Sequence, residues 1–511
     1  MKSGRSKGLT LSYLYLVLNT VIGIFMSAFI IRTVGQTDYG VYQSMTAFMS
    51  YLILLEFGMG SIMTRNISLC KKDGSEEENI RKSTSTIWTV TLILGVAISV
   101  AAIVFWSVID SVYAESLTPE QIVFGKKIFL FAAGTLIFGF ITQPLNGFLI
   151  GYENYVFGKL IDTVKLFLRT GLLIVLLQWQ QNVFLVVIVD FILSITCFVI
   201  TFLYCVIKFH AKLIPKYFDR TVFRQMLPLA FAMMLQTIVN TANTSVDRFL
   251  ISIMMTPEDV SVYSVSMSMF SMFSSIATLP VTMFMPAIAK SIKAGLAGRE
   301  LTETLVRPCR LNVLISGAVA FGFLCVGRPF VEIVFGDSYS ASWLYAVIIM
   351  LPMFVNMTNA AAMNVLDIMR KRHVRSLILL GTTTINIILT IFAIKYIGMV
   401  GAAAATGLAL ILQTVLVNFY YSKKIGLSIG YLFKQSYEGL LIPYIAAACI
   451  SLVVTSFLPN KYLQLFIGGI IFVAIFAVQY LTFGASSSEK AAIKKVLGRK
   501  ARKTHKTKGN G

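Results

Sequence analysis

Asp162, Lys165 and Arg169 stand three and four positions apart in a stretch that is otherwise mostly apolar. On a helix that spacing puts all three on one face. One carboxylate can neutralise one cation, which leaves the other in surplus. Ammonium and guanidinium groups in such a setting suit phosphate oxygens, or they simply tie two helices together. A second set, Gln236, Asn240, Asn243 and Asp247, recurs at spacings of four, three and four and forms one polar stripe. Such a stripe lines a hydrated cavity or hydrogen-bonds a neighbouring helix. Arg248 follows at its end, and Glu56 and Asp190 are lone carboxylates in apolar runs. A charge at the bilayer centre costs about 2.5–3.5 kcal/mol on insertion scales, so each is expected to face a cavity or a partner. Ser264, Ser268, Ser271, Ser275 and Thr278 form a further stripe that suits close helix packing as well as cavity lining. Arg32, Arg65, Arg307, Arg310 and Asp367 fall near the ends of apolar runs, where snorkelling to the interface is the default reading.

The elements that carry these residues must be membrane helices. Of the 511 residues, 57% are hydrophobic and 13% are charged, about half the charge of a soluble chain. Runs of the roughly 20 apolar residues needed to cross a bilayer occur about fourteen times. They lie near 10–31, 41–63, 84–109, 127–150, 159–178, 183–207 and 224–255, then near 260–289, 305–327, 341–369, 374–396, 399–421, 439–458 and 462–484. The runs are long and lack period-two alternation, which disfavours a barrel. The first run, preceded by Lys2 and Lys7, is too long for the core of a signal peptide and reads as a retained helix.

The net charge of +21 sits in alternate loops. One set carries Lys71, Lys72, Arg81 and Lys82, then Lys208, Lys212, Lys216 and Arg220, then Lys290, Lys293 and Arg299. It continues with Arg370, Lys371, Arg372 and Arg375, then Lys423 and Lys424, and ends in a basic tail. The other set holds Glu115, Glu120, Glu258, Asp259, Glu332 and Asp337. The positive-inside rule puts the first set and both termini in the cytoplasm, which requires an even number of spans. Topology accounts for the charge without nucleic acid, for which no basic-aromatic groove is evident.

Several chemistries lack their residues. The six cysteines form no CxxC pair, and His210, His373 and His505 lie in basic segments, so no metal or other cofactor site is expected. Gly151 to Lys159 misses the P-loop spacing, and Leu160 stands where Ser or Thr must follow the lysine. External loops are short and hold no credible pair of catalytic carboxylates, so the chain is not expected to be an enzyme.

The segment Asp38-Tyr39-Gly40-Val41-Tyr42-Gln43-Ser44-Met45 resembles Asp259-Val260-Ser261-Val262-Tyr263-Ser264-Val265-Ser266, and the two open the second and eighth spans in the same sense, as a parallel repeat of about six helices would. The segment Ile31 to Tyr42, with Gly58, Gly60 and Arg65 after it, resembles the region around the first two helices of Wzx-type oligosaccharide flippases. Asp247-Arg248-Phe249-Leu250-Ile251 with Val262-Tyr263-Ser264, Phe335-Gly336-Asp337-Ser338-Tyr339, and Gly398-Met399-Val400-Gly401-Ala402 are similar to later landmarks of that family. These short motifs are spread over most of residues 8–421.

The resemblance implies membership of the multidrug/oligosaccharidyl-lipid/polysaccharide exporter superfamily. It predicts an all-α polytopic fold with six-helix bundles at 1–215 and 216–422 around a central cavity. An added helix pair at 423–484 and a basic tail at 485–511 would follow. Many members of the family have twelve helices rather than fourteen.

The implied activity moves undecaprenyl-diphosphate-linked oligosaccharide from the cytoplasmic to the outer leaflet of a bacterial cytoplasmic membrane by alternating access. In that scheme Lys165, Arg169 and Arg248 meet the diphosphate. Gln236, Asn240 and Asn243 bond sugar hydroxyls, and Glu56, Asp162 or Asp247 couples an ion gradient. Polysaccharide polymerase and assembly proteins are the expected partners, beside membrane lipids. The rival readings are a cation-coupled multidrug exporter of the same superfamily and a membrane polymerase or glycosyltransferase.

Overall fold

In a computed structural model the backbone is described at residues 2–72, 77–211, 213–369, 372–485 and 489–490. The side chains of 2–13, 71–72, 239–240, 242–244, 279–283, 367 and 372–373 lie outside the described set. Asn240, Asn243, Asp367, Arg370, Lys371, His373 and the basic tail from 491 onward therefore lie outside the described residues.

The chain is all helix among the described residues. α1 (Lys2–Val34), α2 (Gln36–Met49), α3 (Met59–Lys72), α4 (Glu77–Val112), α5 (Pro119–Gly151), α6 (Tyr155–Trp179) and α7 (Phe184–Phe209) come first. α8 (Arg220–Met254), α9 (Pro257–Lys293), α10 (Gly298–Phe335), α11 (Ala341–Met357), α12 (Ala360–Ile368), α13 (Arg372–Ile397) and α14 (Met399–Tyr420) follow. α15 (Ile429–Tyr437), α16 (Leu441–Ser456) and α17 (Lys461–Gln479) complete it.

Helix α4 makes the solvent plain. Its Ile93, Val96, Val100 and Ile103 recur every three or four residues and are 62, 65, 55 and 67% exposed. Its buried positions include Thr84, Thr86 and Thr91. In water each of those apolar side chains would forgo about 1.5–3 kcal/mol of burial, so lipid must cover them. Eleven helical segments are long and apolar enough to cross a membrane, or twelve if the α15–α16 pair, bent by 46°, is one span. That count is of described residues and does not establish the fourteen expected. The two other expected spans fall on α6, which carries Lys159, Asp162, Lys165 and Arg169, and on α8, some of whose side chains lie outside the described set.

Helix starts follow from local sequence. Thr118-Pro119-Glu120-Gln121 opens α5 with a reciprocal capping box, Gln121 N donating to Thr118 Oγ1 and Thr118 N to Gln121 Oε1. Thr256-Pro257-Glu258-Asp259 repeats the device at α9. Asp219 caps α8 by accepting from the N–H groups of Thr221 and Val222, which hold its carboxyl below the usual carboxylate range.

Two expected spans are interrupted. The second is split by a 3-10 turn at Leu52–Leu55 and irregular backbone at 56–58. The tenth is split between α11 and α12. There Asn312 Nδ2 donates to Met357 O (2.6 Å), Thr358 Oγ1 meets Tyr437 Oη (2.7 Å), and Asn359 Nδ2 donates to Asn418 Oδ1 (2.7 Å). Breaks at membrane depth persist where protein groups satisfy the released backbone.

The helices cluster into two compact units. One comprises Met1–Ser268 with Leu379–Thr406, the other Met269–Ile378 with Gly407–Gly511. In the first, α5 packs against α3, α4 and α7, and α1 against α6. In the second, α10 is central, touching α11, α15, α16 and α17.

Candidate substrate and ion site

All nine expected site residues belong to the first unit. On α6, Asp162 pairs with Lys159 (2.7 Å) one turn back, rather than with Lys165 or Arg169. Lys159 also lies over the Tyr15 ring of α1, 5.0 Å from its centroid. Arg169 is held by Asp190 of α7 in a two-point contact, Nε to Oδ1 and Nη2 to Oδ2, the latter 2.9 Å. The surplus cation is therefore Lys165, whose Nζ donates to the hydroxyl of Ser194 on α7 (3.1 Å). The spacing identified the charged face of α6. It could not identify the partners, which come from another helix.

Asp247 is 3% exposed. Its Oδ1 accepts from Asn386 Nδ2 (3.4 Å) and Thr390 Oγ1 (3.5 Å) of α13. Its Oδ2 accepts from Tyr263 Oη of α9 (3.3 Å) and from Thr406 Oγ1 of α14. The carboxylate thus sits in a cage of neutral donors from three helices, with no ion-pair partner within 4 Å among the described residues. Its neighbour Arg248 brings a compensating charge close by. A buried charge so held can exchange a small cation or a proton.

The expected stripe wall on α8 is altered at this end, because Asp247 turns into helix packing. Gln236 is half-buried and Thr241 buried. Sequence reasoning missed Asn386, Thr390 and Thr406. Their only signal is helical spacing of small polar groups, which close packing produces as well.

Arg248 donates from Nη2 to Ser245 Oγ (3.4 Å), and its buried Nε has no hydrogen-bond partner among the described residues. Its electrostatic neighbours are Tyr39, Tyr263, Asp247 and Tyr42. Those of Tyr42 are Asp190, Arg169, Tyr39 and Arg248. Tyr39 and Tyr42, 6.0 Å apart on α2, thus link Arg248 to the Arg169–Asp190 pair. The structure brings Arg169, Asp190, Asp247 and Arg248 into one neighbourhood. Lys165 and Asp162 lie one and two turns along α6.

Glu56 ends the 3-10 turn in the broken second span, half-buried, and its carboxylate makes no hydrogen bond or ion pair among the described residues. In the serine stripe of α9, Ser268 donates to Ser264 O and Ser275 to Ser271 O, both at 2.9 Å; Ser264 is buried, whereas Ser271 and Thr278 are exposed.

The α2 and α9 starts also meet. Gln36 Nε2 donates to Glu258 O (3.3 Å), and Thr37 Oγ1 donates to Glu258 Oε1. A Cβ on Gly40 would come within 1.9 Å of Pro257 O, so only glycine allows the approach. The starts of the two helices that carry the sequence repeat therefore touch.

A family described as polysaccharide biosynthesis proteins matches residues 29–344. The chain belongs to this family. No curated relative matches it. Among solved structures it is similar to the lipid II flippase MurJ in an inward closed conformation. That match has 15% identity, covers 93% of this chain and 98% of that one, and has a TM-score of 0.70. It is also similar to an inward-facing multidrug resistance MATE transporter of the MOP superfamily, at 15% identity, 82% and 96% coverage and a TM-score of 0.59. A eukaryotic MATE transporter matches at 13% identity, 85% and 98% coverage and a TM-score of 0.57. This polysaccharide biosynthesis protein is thus a multi-pass membrane protein with the fold these transporters share.

Proposed function

We propose that the protein is a flippase for polyprenyl-diphosphate-linked oligosaccharide, working by alternating access in a bacterial cytoplasmic membrane with both termini inside. The observation that carries this reading is the cationic neighbourhood of the first unit. Lys165 has a hydroxyl as its partner, and Arg248 keeps a buried donor unpaired among the described residues. Unspent donors of this kind meet a diphosphate with charge-assisted hydrogen bonds. The family's place in polysaccharide biosynthesis supports a glycan cargo. The same cations disfavour a cationic drug, the cargo of the rival exporter reading.

In this scheme the prenyl tail stays in lipid. Lys165 and Arg248 engage the diphosphate, with Arg169 held ready by Asp190. Gln236, Asn240 and Asn243 serve sugar hydroxyls. Asp247, in its neutral cage, is the foremost ion-coupling group, with Glu56 second. Asp162, spent on Lys159, positions α6. The two six-helix halves at 1–215 and 216–422 are the moving parts, and the pair at 423–484 follows them in the chain.

Reconstitution into liposomes with a fluorescent polyprenyl-diphosphate glycan tests the reading. Arg248→Ala and Lys165→Ala are each expected to slow flipping about tenfold or more, the scale of one lost charge-assisted bond. Wild-type rates in both variants, at equal protein content, would remove these residues from the scheme.

A further inference from the structure

The second unit holds a cationic site that this scheme does not use. Arg310 lies inside one end of α10, where snorkelling is the default expectation, yet it is 12% exposed and turned inward. Its Nη1 donates to Gln435 O (3.1 Å) and Glu438 O (2.6 Å), and its Nη2 to Gly484 O (2.6 Å). Glu438 ends α15, and Gly484 ends the π-helical turn after α17. The two chain segments touch there, since a Cβ on Gly484 would come within 2.2 Å of Gly439 O. One guanidinium thus caps two helix ends and is fixed in plane by them.

The remaining edge of Arg310 meets Glu489, Nε to Oε1 at 2.9 Å and Nη2 to Oε2 at 3.3 Å. A guanidinium edge accepts carboxylate and phosphate in the same two-point geometry. Arg307, one turn away on α10, is exposed and makes no hydrogen bond or ion pair among the described residues. Both arginines line a cavity of about 650 Å³. Its apolar wall includes Phe284, Leu311 and Phe483. Glu438 stands at the rim with its side chain exposed, and lends Arg310 its carbonyl. The site adjoins the ends of α10 and α17 that carry the Lys- and Arg-rich segments. Basic pockets between membrane helices on that side suit lipid headgroups.

We propose that this cavity binds the phosphate of an anionic membrane lipid, with Glu489 as a built-in substitute that the phosphate displaces from Arg310. Arg307 supplies the second cation, and the apolar wall takes the top of an acyl chain. The carbonyl clasp keeps Arg310 aimed whether Glu489 or a phosphate occupies its free edge. Occupancy would release Glu489 from Arg310. The site does not depend on which cargo the protein moves.

The test uses the full chain, purified in detergent and titrated with phosphatidylglycerol, phosphatidylcholine or inorganic phosphate, with bound lipid counted by native mass spectrometry. Glu489→Gln is expected to tighten phosphatidylglycerol binding about tenfold, and Arg307→Ala to weaken it by a similar factor, with phosphatidylcholine unaffected. Neither variant touches the carbonyl clasp. Competition by millimolar inorganic phosphate would identify a soluble anion as the phosphate source, and its absence a lipid. Equal phosphatidylglycerol binding by wild type, Glu489→Gln and Arg307→Ala would overturn the proposal.

Discussion

Arg169 and Asp190 join α6 to α7 through a two-point ion pair, with side chains 27% and 21% exposed. Partial solvation tempers such a pair, so Asp190→Ala is expected to cost about 1–3 kcal/mol, between the surface and buried limits. Thermal unfolding in detergent measures this. The Arg169→Ala/Asp190→Ala double variant should recover part of the loss, because no uncompensated charge remains. Asp247 makes a different prediction. Asn at 247 keeps the volume and can bond the same hydroxyls, so Asp247→Asn should fold. Its flipping should no longer respond when sodium and proton gradients are collapsed, as measured in liposomes with ionophores. The cations Lys165 and Arg169 and the acid Asp247 were all legible as helical patterns in apolar runs. Their partners Ser194, Asn386, Thr390 and Thr406 were not, because a hydroxyl or amide in a membrane helix serves packing as readily as a site.

At the scale of elements, α2 and α9 meet where Gly40 admits Pro257 O. Gly40→Val would push a side chain into backbone that cannot yield. It is expected to destabilise the protein by about 1–3 kcal/mol, the usual range for overpacking. It should also raise the labelling of a cysteine placed at Glu258 by an impermeant maleimide. Unchanged labelling would mean that the contact opens freely without this strain. Asp219 fastens the start of α8, and its sign follows from its lowered carboxyl. Its stabilisation is full above the ordinary carboxylate pKa and is lost as pH falls through the lower folded value. Helix existence was readable from run length, and the α5 and α9 starts from Thr-Pro-Glu. The breaks at 50–58 and 358–359 were hidden, because hydropathy runs on across them; at the second, Asn312 of α10 satisfies Met357 O from a distant part of the chain.

At the scale of the whole molecule, the alternating charge of the loops predicts an orientation. Single cysteines at Lys216 and Arg299 should label only from the cytoplasmic side, and those at Glu115 and Asp337 only from outside. The all-α membrane class followed from composition and pattern, since lipid is the only solvent that suits so much exposed apolar surface, and the transporter-like fold from the family resemblance. The number of spans did not follow as firmly. The charges of α6 that make the candidate site also carry that helix beyond the charge a spanning helix ordinarily holds. The central claim is that the protein moves polyprenyl-diphosphate-linked sugars between leaflets. The most direct measurement depletes the protein in its host, extracts these lipids and scores which leaflet holds them. The account predicts accumulation on the cytoplasmic leaflet with loss of surface polysaccharide. Unchanged amount and sidedness, in a strain with no second flippase, would contradict it.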